Sequence, residues 1–312
     1  MPELSVIICT HNPRSDYLGR TLDGLKAQSL PRDRWELLLI DNGSQVRLAD
    51  TCNISWHPLA RHVREDDLGL TPARLRGIKE SVGELIVFVD DDNALAPDFL
   101  EQALAVAKRY PHVSVFGPGV LEPEFEIPPL PELPSLLPVF MLRQVSSARW
   151  SNNPKDGACL PWGAGLCVNR AIAREYLQLV ERIGARKLLD RQGQQLFSHG
   201  DDLFSWTAAR SGQGFGIFPE LRVVHLISKT RLSRSYALRL ITCSRFSHCI
   251  LHYLLAGDKP TGVSLFRVIH IMLHGIRRGR FSMQCHWASE IGEQRARRFI
   301  ARTGLRTFNS SH

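Results

Sequence analysis

The stretch Glu84-Leu85-Ile86-Val87-Phe88-Val89-Asp90-Asp91-Asp92-Asn93 decides the fold. Its apolar run is β-branched and aromatic, does not alternate with polar residues, and is too short for a helix. That is the signature of a strand buried on both faces of a parallel sheet. The run passes straight into three aspartates. In open α/β sheets ligands sit at the carboxyl ends of the strands, so the triplet stands where a site is expected.

The same pattern repeats outward from this strand. Leu4 to Cys9 is a second buried run, followed by Asp16 to Ser29 with Leu18, Leu22 and Leu25 on one helical stripe. Trp35 to Ile40 is a further strand, stopping at Asp41-Asn42-Gly43-Ser44, and the succession predicts a right-handed βαβ unit. A weaker strand is expected near Ser55 to His57, then a helix opened by Thr71 as cap and Pro72 in its first turn. Pro97 opens another helix through Arg109, with Leu100, Ala103, Leu104 and Ala107 facing inward, and Val113 to Phe116 reads as a strand. Pro118 to Pro138 is proline-rich and reads as an extended excursion outside the core. Beyond it, Trp162-Gly163-Ala164-Gly165 leads into a strand at Leu166 to Val168 and a helix at Arg170 to Ile183. A helix from Asp202 to Ser211 and a short β segment ending at Val223-Val224-His225 complete the pattern. The fold class is α/β with a mostly parallel central sheet.

Composition supports a folded chain: 312 residues, 44% hydrophobic, with no low-complexity tract. The seven cysteines are scattered and never spaced as CxxC, which speaks against a zinc site or a disulfide framework and fits a reducing cytosol. The first ten residues lack a basic n-region and a cleavage site, so they read as a strand and not as an export signal. From Leu221 onward 16 Lys and Arg stand against 3 Asp and Glu, whereas the whole chain is only +8. The basic character therefore belongs to the C-terminal segment and favours an anionic partner there.

Three groups of residues can carry chemistry. On an extended chain Asp90 and Asp92 point the same way and offer hard oxygen donors for Mg²⁺ or Mn²⁺ holding a diphosphate; helix capping is the structural alternative. Asp201-Asp202 supplies a carboxylate able to act as general base, or else a cap for the following helix. His225 can donate a ring nitrogen to the same metal, or serve as an ordinary buried histidine.

The ordered set Ser5 to Asn12, Asp41 to Ser44, Leu68-Gly69 with Ala73-Arg74 and Gly77, Asp90-Asp91-Asp92, Trp162 to Gly165, Gly200-Asp201-Asp202 and His225 resembles family 2 glycosyltransferases. The resemblance implies a GT-A-like, Rossmann-type sandwich and an inverting transferase moving a sugar from a nucleoside-diphosphate donor, commonly a UDP-sugar. It places Thr10, Asn12, Asp41, Arg74, Asp90 and Asp91 on the nucleotide-sugar side, with Asp41 on the base. Asp92, Asp90 and His225 are implied at the metal, Trp162, Gly163, Ala164 and Gly165 at the sugar and acceptor, and Asp202 or Asp201 as the base. Leu75 stands where family members commonly have asparagine, and Asp201 where glutamate is more usual.

These readings divide the chain into a catalytic domain over residues 1–228 and a basic, mainly helical extension over 229–312. Within the domain, 1–117 is the nucleotide-sugar half, 118–150 the proline-rich excursion and 151–228 the acceptor half. In the extension, Leu240, Cys243, Ile250 and Leu254 interleave with Arg239 and Arg245, and Phe266 to Ile276 ends in Arg277-Arg278-Gly279-Arg280. Amphipathic helices with basic edges can lie on an anionic membrane or pack as a solvated face. The resemblance, taken with this basic segment, implies a glycan or lipid-linked acceptor and a cytoplasmic chain peripheral on the inner face of the plasma membrane. Nucleic acid is not expected, because no recognition motif accompanies the charge. The rival readings are a nucleotidyltransferase, which needs a Gly- and Lys/Arg-rich phosphate loop where this chain has His11-Asn12-Pro13-Arg14, and a non-catalytic nucleotide- or polyanion-binding protein.

Overall fold

The computed structural model describes residues 1–129, 140, 142–184, 196, 198–262, 264–305 and 307–308. The elements in chain order are β1 (Leu4–Thr10), α1 (Ser15–Lys26), β2 (Trp35–Asn42), α2 (Leu48–Thr51), β3 (Ala60–Glu65), α3 (Leu70–Glu80), β4 (Leu85–Val89) and β5 (Asn93–Leu95). They continue with α4 (Phe99–Arg109), β6 (Val113–Phe125), β7 (Arg143–Gln144), β8 (Arg149–Ser151), β9 (Leu166–Asn169), α5 (Arg170–Arg182), α6 (Gly200–Arg210) and β10 (Gly214–Ile227). Three helices follow, α7 (Arg234–Ala256), α8 (Leu265–Arg278) and α9 (Arg280–Thr303). The chain forms two compact units, one of Met1–Glu126, Met141–Leu179 and Asp201–Ile227, the other of Ile127–Phe140, Val180–Gly200 and Ser228–His312.

The first unit is built on one sheet of order β3-β2-β1-β4-β9-β6-β10-β5, with β7 beside β6 and β8 beside β10. Its four longest pairings, β6 with β10, β1 with β2, β2 with β3 and β1 with β4, are parallel. Every residue of β2 and β4 is buried, as continuous apolar runs require when helices cover both faces. The edge strand β3 is instead buried only at Val63 and carries Arg61, Arg64 and Glu65, charges that discourage further strand pairing.

At the amino ends of the strands a buried polar knot holds the register. Ser5 Oγ donates to Glu36 Oε1 at 2.6 Å and accepts from the Gly83 amide at 2.8 Å, and Glu36 Oε1 also accepts from the Val82 amide at 2.6 Å. Arg170 adds a bond from Nε to the Gly83 carbonyl at 2.6 Å. One side chain thus ties β1, β2 and the start of β4 together.

Four sequence expectations need correction. The strand expected at Ser55–His57 is a turn: Trp56 and His57 pack on the Trp35 ring, with centroids 6.4 and 4.0 Å away, and the strand comes later at Ala60–Glu65. Thr71 does not cap α3, whose N-cap is Gly69 at φ 136°, although Pro72 does fall in the first turn. The stretch from Pro118 through Phe125 is core and not an excursion, since β6 runs on to pair with β10 as far as Ile227. Proline is tolerated at 118 because β9 has already ended its pairing at Phe116 and β7 covers only Val120 and Leu121, leaving one neighbour at that position. The rest of the proline-rich stretch, residues 130–138, lies outside the described residues. Finally, β5 has no counterpart in the sequence reading, and the segment ending at His225 is a strand of 14 residues.

In the second unit, α7 starts at Ser233, which caps it by accepting from the Tyr236 amide, and ends at Gly257 in the left-handed region. It packs on α9 along Ala288, Gly292 and Ala296, a small-residue row at i, i+4 and i+8, and Thr242 Oγ1 donates to the Ala288 carbonyl at 3.1 Å. Glu293 is buried at the centre of this packing and takes bonds from Arg245 Nη2 at 2.6 Å, Thr261 N at 2.8 Å and Thr261 Oγ1 at 2.7 Å. Burial opposes its charge, but those bonds outweigh it and hold the carboxyl down at about 2.

A group with a depressed folded pKa contributes stability that is complete above its unfolded value and lost as pH falls through the folded one. The Glu293 contribution therefore disappears between about pH 4.5 and 2, and amounts to about 3 kcal/mol. Urea unfolding of the wild type and Glu293→Gln across that range should show a pH-dependent loss smaller by about that amount in the variant. Equal slopes in the two proteins would remove Glu293 from the account.

Candidate active site

The strand that introduces the site, β4, stops at Val89, and Asp90 to Asn93 form a turn closed by the Asn93 amide on the Asp90 carbonyl at 3.1 Å. Two-residue alternation therefore does not orient the triplet, and that part of the sequence argument is corrected. The turn sends the aspartates to different partners. Asp91 accepts a bond from Thr10 Oγ1 at the end of β1. Asp92 is buried, and its Oδ2 lies 3.7 Å from His225 Nε2. Asp90 remains half-buried at the mouth of the turn.

The meeting of Asp92 with His225 is a product of strand pairing. Asn93 of β5 pairs antiparallel with His225 of β10, and the Leu226 amide donates to the Asp92 carbonyl at 2.8 Å. Residues more than 130 positions apart are thus fixed by main-chain bonds on either side of both side chains.

On the flank beyond β1, Asn12 sits at φ 48°, a conformation to which asparagine adapts better than most residues. Its amide donates to Ser44 Oγ at 2.9 Å and its Oδ1 accepts from the Gln45 amide at 2.9 Å, so it joins the β1 loop to the β2 loop. Asp41, at the end of β2, accepts from the Ser44 amide at 3.0 Å, the Leu48 amide at 3.2 Å and Arg64 Nη1 at 2.8 Å. Burial pushes its pKa up, but these bonds outweigh it and leave the carboxyl below the usual range. A carboxylate has about four acceptor positions. The Ser44 side chain is a further hydrogen-bond partner of Asp41. Arg64 was not identified from the sequence; its signal is the true position of β3, which pairs Arg64 directly with Asp41.

The second acidic group opens α6. Asp201 Oδ2 accepts from the Gly163 amide at 2.8 Å and Oδ1 from the Asp202 amide at 3.1 Å, and both aspartates are buried. Gly163 lies against the end of Arg74: a Cβ there would stand 2.7 Å from Arg74 Nη2, so a side chain would displace the guanidinium. Gly165 ends the same turn at φ 71°, with Phe99 and Pro118 where a Cβ would sit 3.0 Å from each. Ala164 is buried between them. Arg74, itself buried in α3, also lies over the Phe88 ring at 5.7 Å, two residues before Asp90. It therefore spans from the end of β4 to the Gly163 turn.

Sequence reasoning missed Arg143. Its guanidinium lies 3.3 Å from the centre of the Trp162 ring and donates to the Leu160 carbonyl at 2.9 Å. Burial holds its pKa below the usual guanidinium range, at about 10, against the opposing pull of the Asp201 and Asp202 charges. The cation thus lies against an aromatic face within reach of the field of both carboxylates. Nothing in the local sequence signals it, because β7 is two residues long and follows the proline-rich stretch.

Comparison with known proteins follows this geometry. Residues 5–147 match the family model described as glycosyl transferase family 2. Among curated relatives, glycosyltransferase AglE of Haloferax volcanii is 28% identical over 108 residues, which cover 34% of this chain and 35% of that protein. Polypeptide N-acetylgalactosaminyltransferase 8 of Drosophila melanogaster is 29% identical over 109 residues, covering 34% of this chain and 18% of that protein. The matched part is thus about a third of the first relative's length and less of the second. Among solved structures, the mannosyltransferase PcManGT of Pyrobaculum calidifontis, in complex with GDP-Man and Mn²⁺, superposes with a TM-score of 0.56 at 18% identity, covering 97% of this chain and 76% of that one. GalNAc-T7 with UDP, GalNAc and Mn²⁺ gives a TM-score of 0.55 at 15% identity, covering 99% and 55%. At such identities the structures speak for the fold. Over residues 5–147, somewhat under half of the chain, the match is thus to glycosyl transferase family 2, and the fold is the GT-A fold of such transferases.

Proposed function

We propose that this chain transfers a sugar from a nucleoside-diphosphate donor, a UDP-sugar, to a hydroxyl of a glycan or lipid-linked acceptor, with inversion at the anomeric carbon. The observation that carries this reading is the Asp92–His225 pair, held 3.7 Å apart at the carboxyl end of β4 with the Gly163–Asp201 turn linked to that strand through Arg74.

A divalent cation fits these residues. Ligands about 2.1 Å from one ion lie roughly 3 to 4 Å from each other, and the separation of Asp92 Oδ2 from His225 Nε2 falls in that range. Asp92 and His225 would hold the cation from the protein side, and the donor diphosphate and water would supply the rest of its ligands. An imidazole donor favours Mn²⁺ over Mg²⁺. Bound there, the cation would act as Lewis acid and offset the charge that develops on the departing diphosphate.

The chain's own residues divide the remaining work. Asp41, at the end of β2, takes the nucleobase, while Thr10, Asn12, Asp90 and Asp91 line the donor side. Asp201 is a positioning residue for the Gly163 turn and the helix start, to which its two oxygens are bonded. Asp202, buried beside it in the first turn of α6, is the base. It takes the proton of the acceptor hydroxyl as the oxygen forms its bond to the anomeric carbon and the diphosphate oxygen leaves from the opposite side. Trp162 and Arg143 border the sugar and acceptor. A peripheral position on an anionic membrane, through residues 229–312, suits a lipid-linked acceptor. The domain limits at 228 and 229 belong to the same proposal.

Titration calorimetry with UDP should show binding that requires Mn²⁺, weakened by about tenfold or more in Asp92→Ala and in His225→Ala. Metal-independent binding of equal strength in both variants would remove them from the metal site. For the base, Asp202→Asn should keep Mn²⁺-dependent UDP binding and lose turnover by roughly 100- to 10,000-fold. If Asp201→Asn alone behaves in this way, the two roles are exchanged.

A further inference from the structure

Helix α8 is amphipathic, and its apolar side faces out. Phe266 is 86% exposed, Ile276 81% and Leu265 74%, with Ile269, Met272 and Leu273 each about half exposed or more. At 100° per residue these six positions fall within an arc of about 120°. The opposite side rests on α9: Ile271 is 3% exposed, Gly275 lies against Met283, and Arg267 reaches Glu290 and Glu293 at 3.5 and 3.4 Å. A surface helix of a globular protein turns the other way, with its apolar stripe to the core. Scattered exposed leucines are ordinary, whereas six large apolar side chains on one continuous face mark a contact surface.

The charges around this face identify what covers it. Residues 229–312 contain 15 Lys and Arg but only Asp258, Glu290 and Glu293 as acids. All three acids are occupied within the unit, Asp258 by His252 at 3.5 Å, Glu290 by Arg267 at 3.5 Å and Glu293 by Arg245 at 2.6 Å. Residues 229–312 therefore carry a formal net charge of +12, 15 basic against 3 acidic side chains. Arg277 falls at the margin of the apolar arc and is exposed, as are Arg280 just beyond the helix and Lys259 in the segment before it. A second copy of the same surface would bring like charges together. A partner that is apolar within and anionic at its surface matches both features. The helix has 14 residues, about 21 Å in length, against roughly 30 Å of bilayer hydrocarbon, and no helix among the described residues is long and apolar enough to cross a membrane.

We infer that α8 is an interfacial membrane helix: it lies flat in an anionic bilayer leaflet, with Leu265, Phe266, Ile269, Met272, Leu273 and Ile276 among the acyl chains and Arg277 and Arg280 at the headgroups. This rests on the peripheral reading above and names the face, the depth and the lipid charge. Both binding terms act together, apolar insertion giving residence and the basic rim giving selectivity for anionic lipid.

The test is cosedimentation of the full chain with vesicles of phosphatidylcholine alone and with about 30% phosphatidylglycerol. The wild type should partition at least about tenfold more strongly onto the anionic vesicles, and raised salt should weaken this. The double variant Phe266→Asp, Ile276→Asp should lose at least about tenfold of the partitioning, with unchanged melting temperature and unchanged nucleotide-sugar hydrolysis in lipid-free buffer. Arg277→Glu with Arg280→Glu should abolish the preference for anionic vesicles. Undiminished binding by the aspartate pair overturns the inference, as does a wild type that stays in the supernatant with every vesicle. A lipid-free dimer that the aspartate pair converts to monomer also overturns it, since a second copy then covers the face. Vesicle binding without any sugar transfer would instead sink the transferase reading and leave this one standing.

Discussion

The site depends on a short main-chain clasp, the pairing of β5 with β10 just after the aspartate turn. Three adjacent carboxylates repel one another, and a turn carrying them has no tendency of its own to stay in place. Here the Asp92 carbonyl is held by the Leu226 amide and Asn93 is paired with His225, so main-chain bonds outside the charged side chains supply the restraint. The same bonds fix where His225 stands relative to Asp92. A substitution that disturbed β10 between Val223 and Leu226 would displace both donors of the proposed metal site together, without touching either side chain.

The two ends of the sheet divide stability from chemistry. At the amino ends, Ser5, Glu36, Gly83 and Arg170 are buried with the bonds they make to one another and to the Val82 amide, as a buried carboxylate requires. At the carboxyl ends the acidic groups gather instead: Asp41 closes the β2 loop, Asp92 stands beside His225, and Asp201 holds the Gly163 turn with Asp202 next to it in the first turn of α6.

What the sequence made legible followed from local chemistry. The runs at Leu4–Cys9, Trp35–Ile40 and Leu85–Val89 have no stable use except as buried strands, and the aspartate clusters at their ends inherit a position from that fact. Features set by pairing between distant segments were not legible. Ala60–Glu65 is polar enough to hide as a strand, and only its register with β2 brings Arg64 to Asp41. Pro118 and Pro123 argue against a strand locally, yet β6 keeps its place because its partner β10 supplies the ladder on the other side. Arg143 and the clasp at β5 come from elements of two and three residues, too short to leave a periodic trace.

The C-terminal helices show the same limit in a different form, because periodicity reveals that a helix has two faces but not which of them is covered. In α7 and α9 the buried side includes Thr242, Ser247 and Glu293, each with hydrogen-bonding partners, whereas α8 keeps its large apolar residues outside. Covering one such side chain is worth about 1.5–3 kcal/mol, so the arrangement in water forgoes more than any single buried contact of this unit could return. The helix is nevertheless held in that orientation by the Arg267 bonds to Glu290 and Glu293 and by the close fit of Gly275 on Met283, all on its inner side. An orientation fixed from within, at the expense of solvation outside, makes sense only if the outer face meets a phase other than water, and the basic rim selects which phase that is.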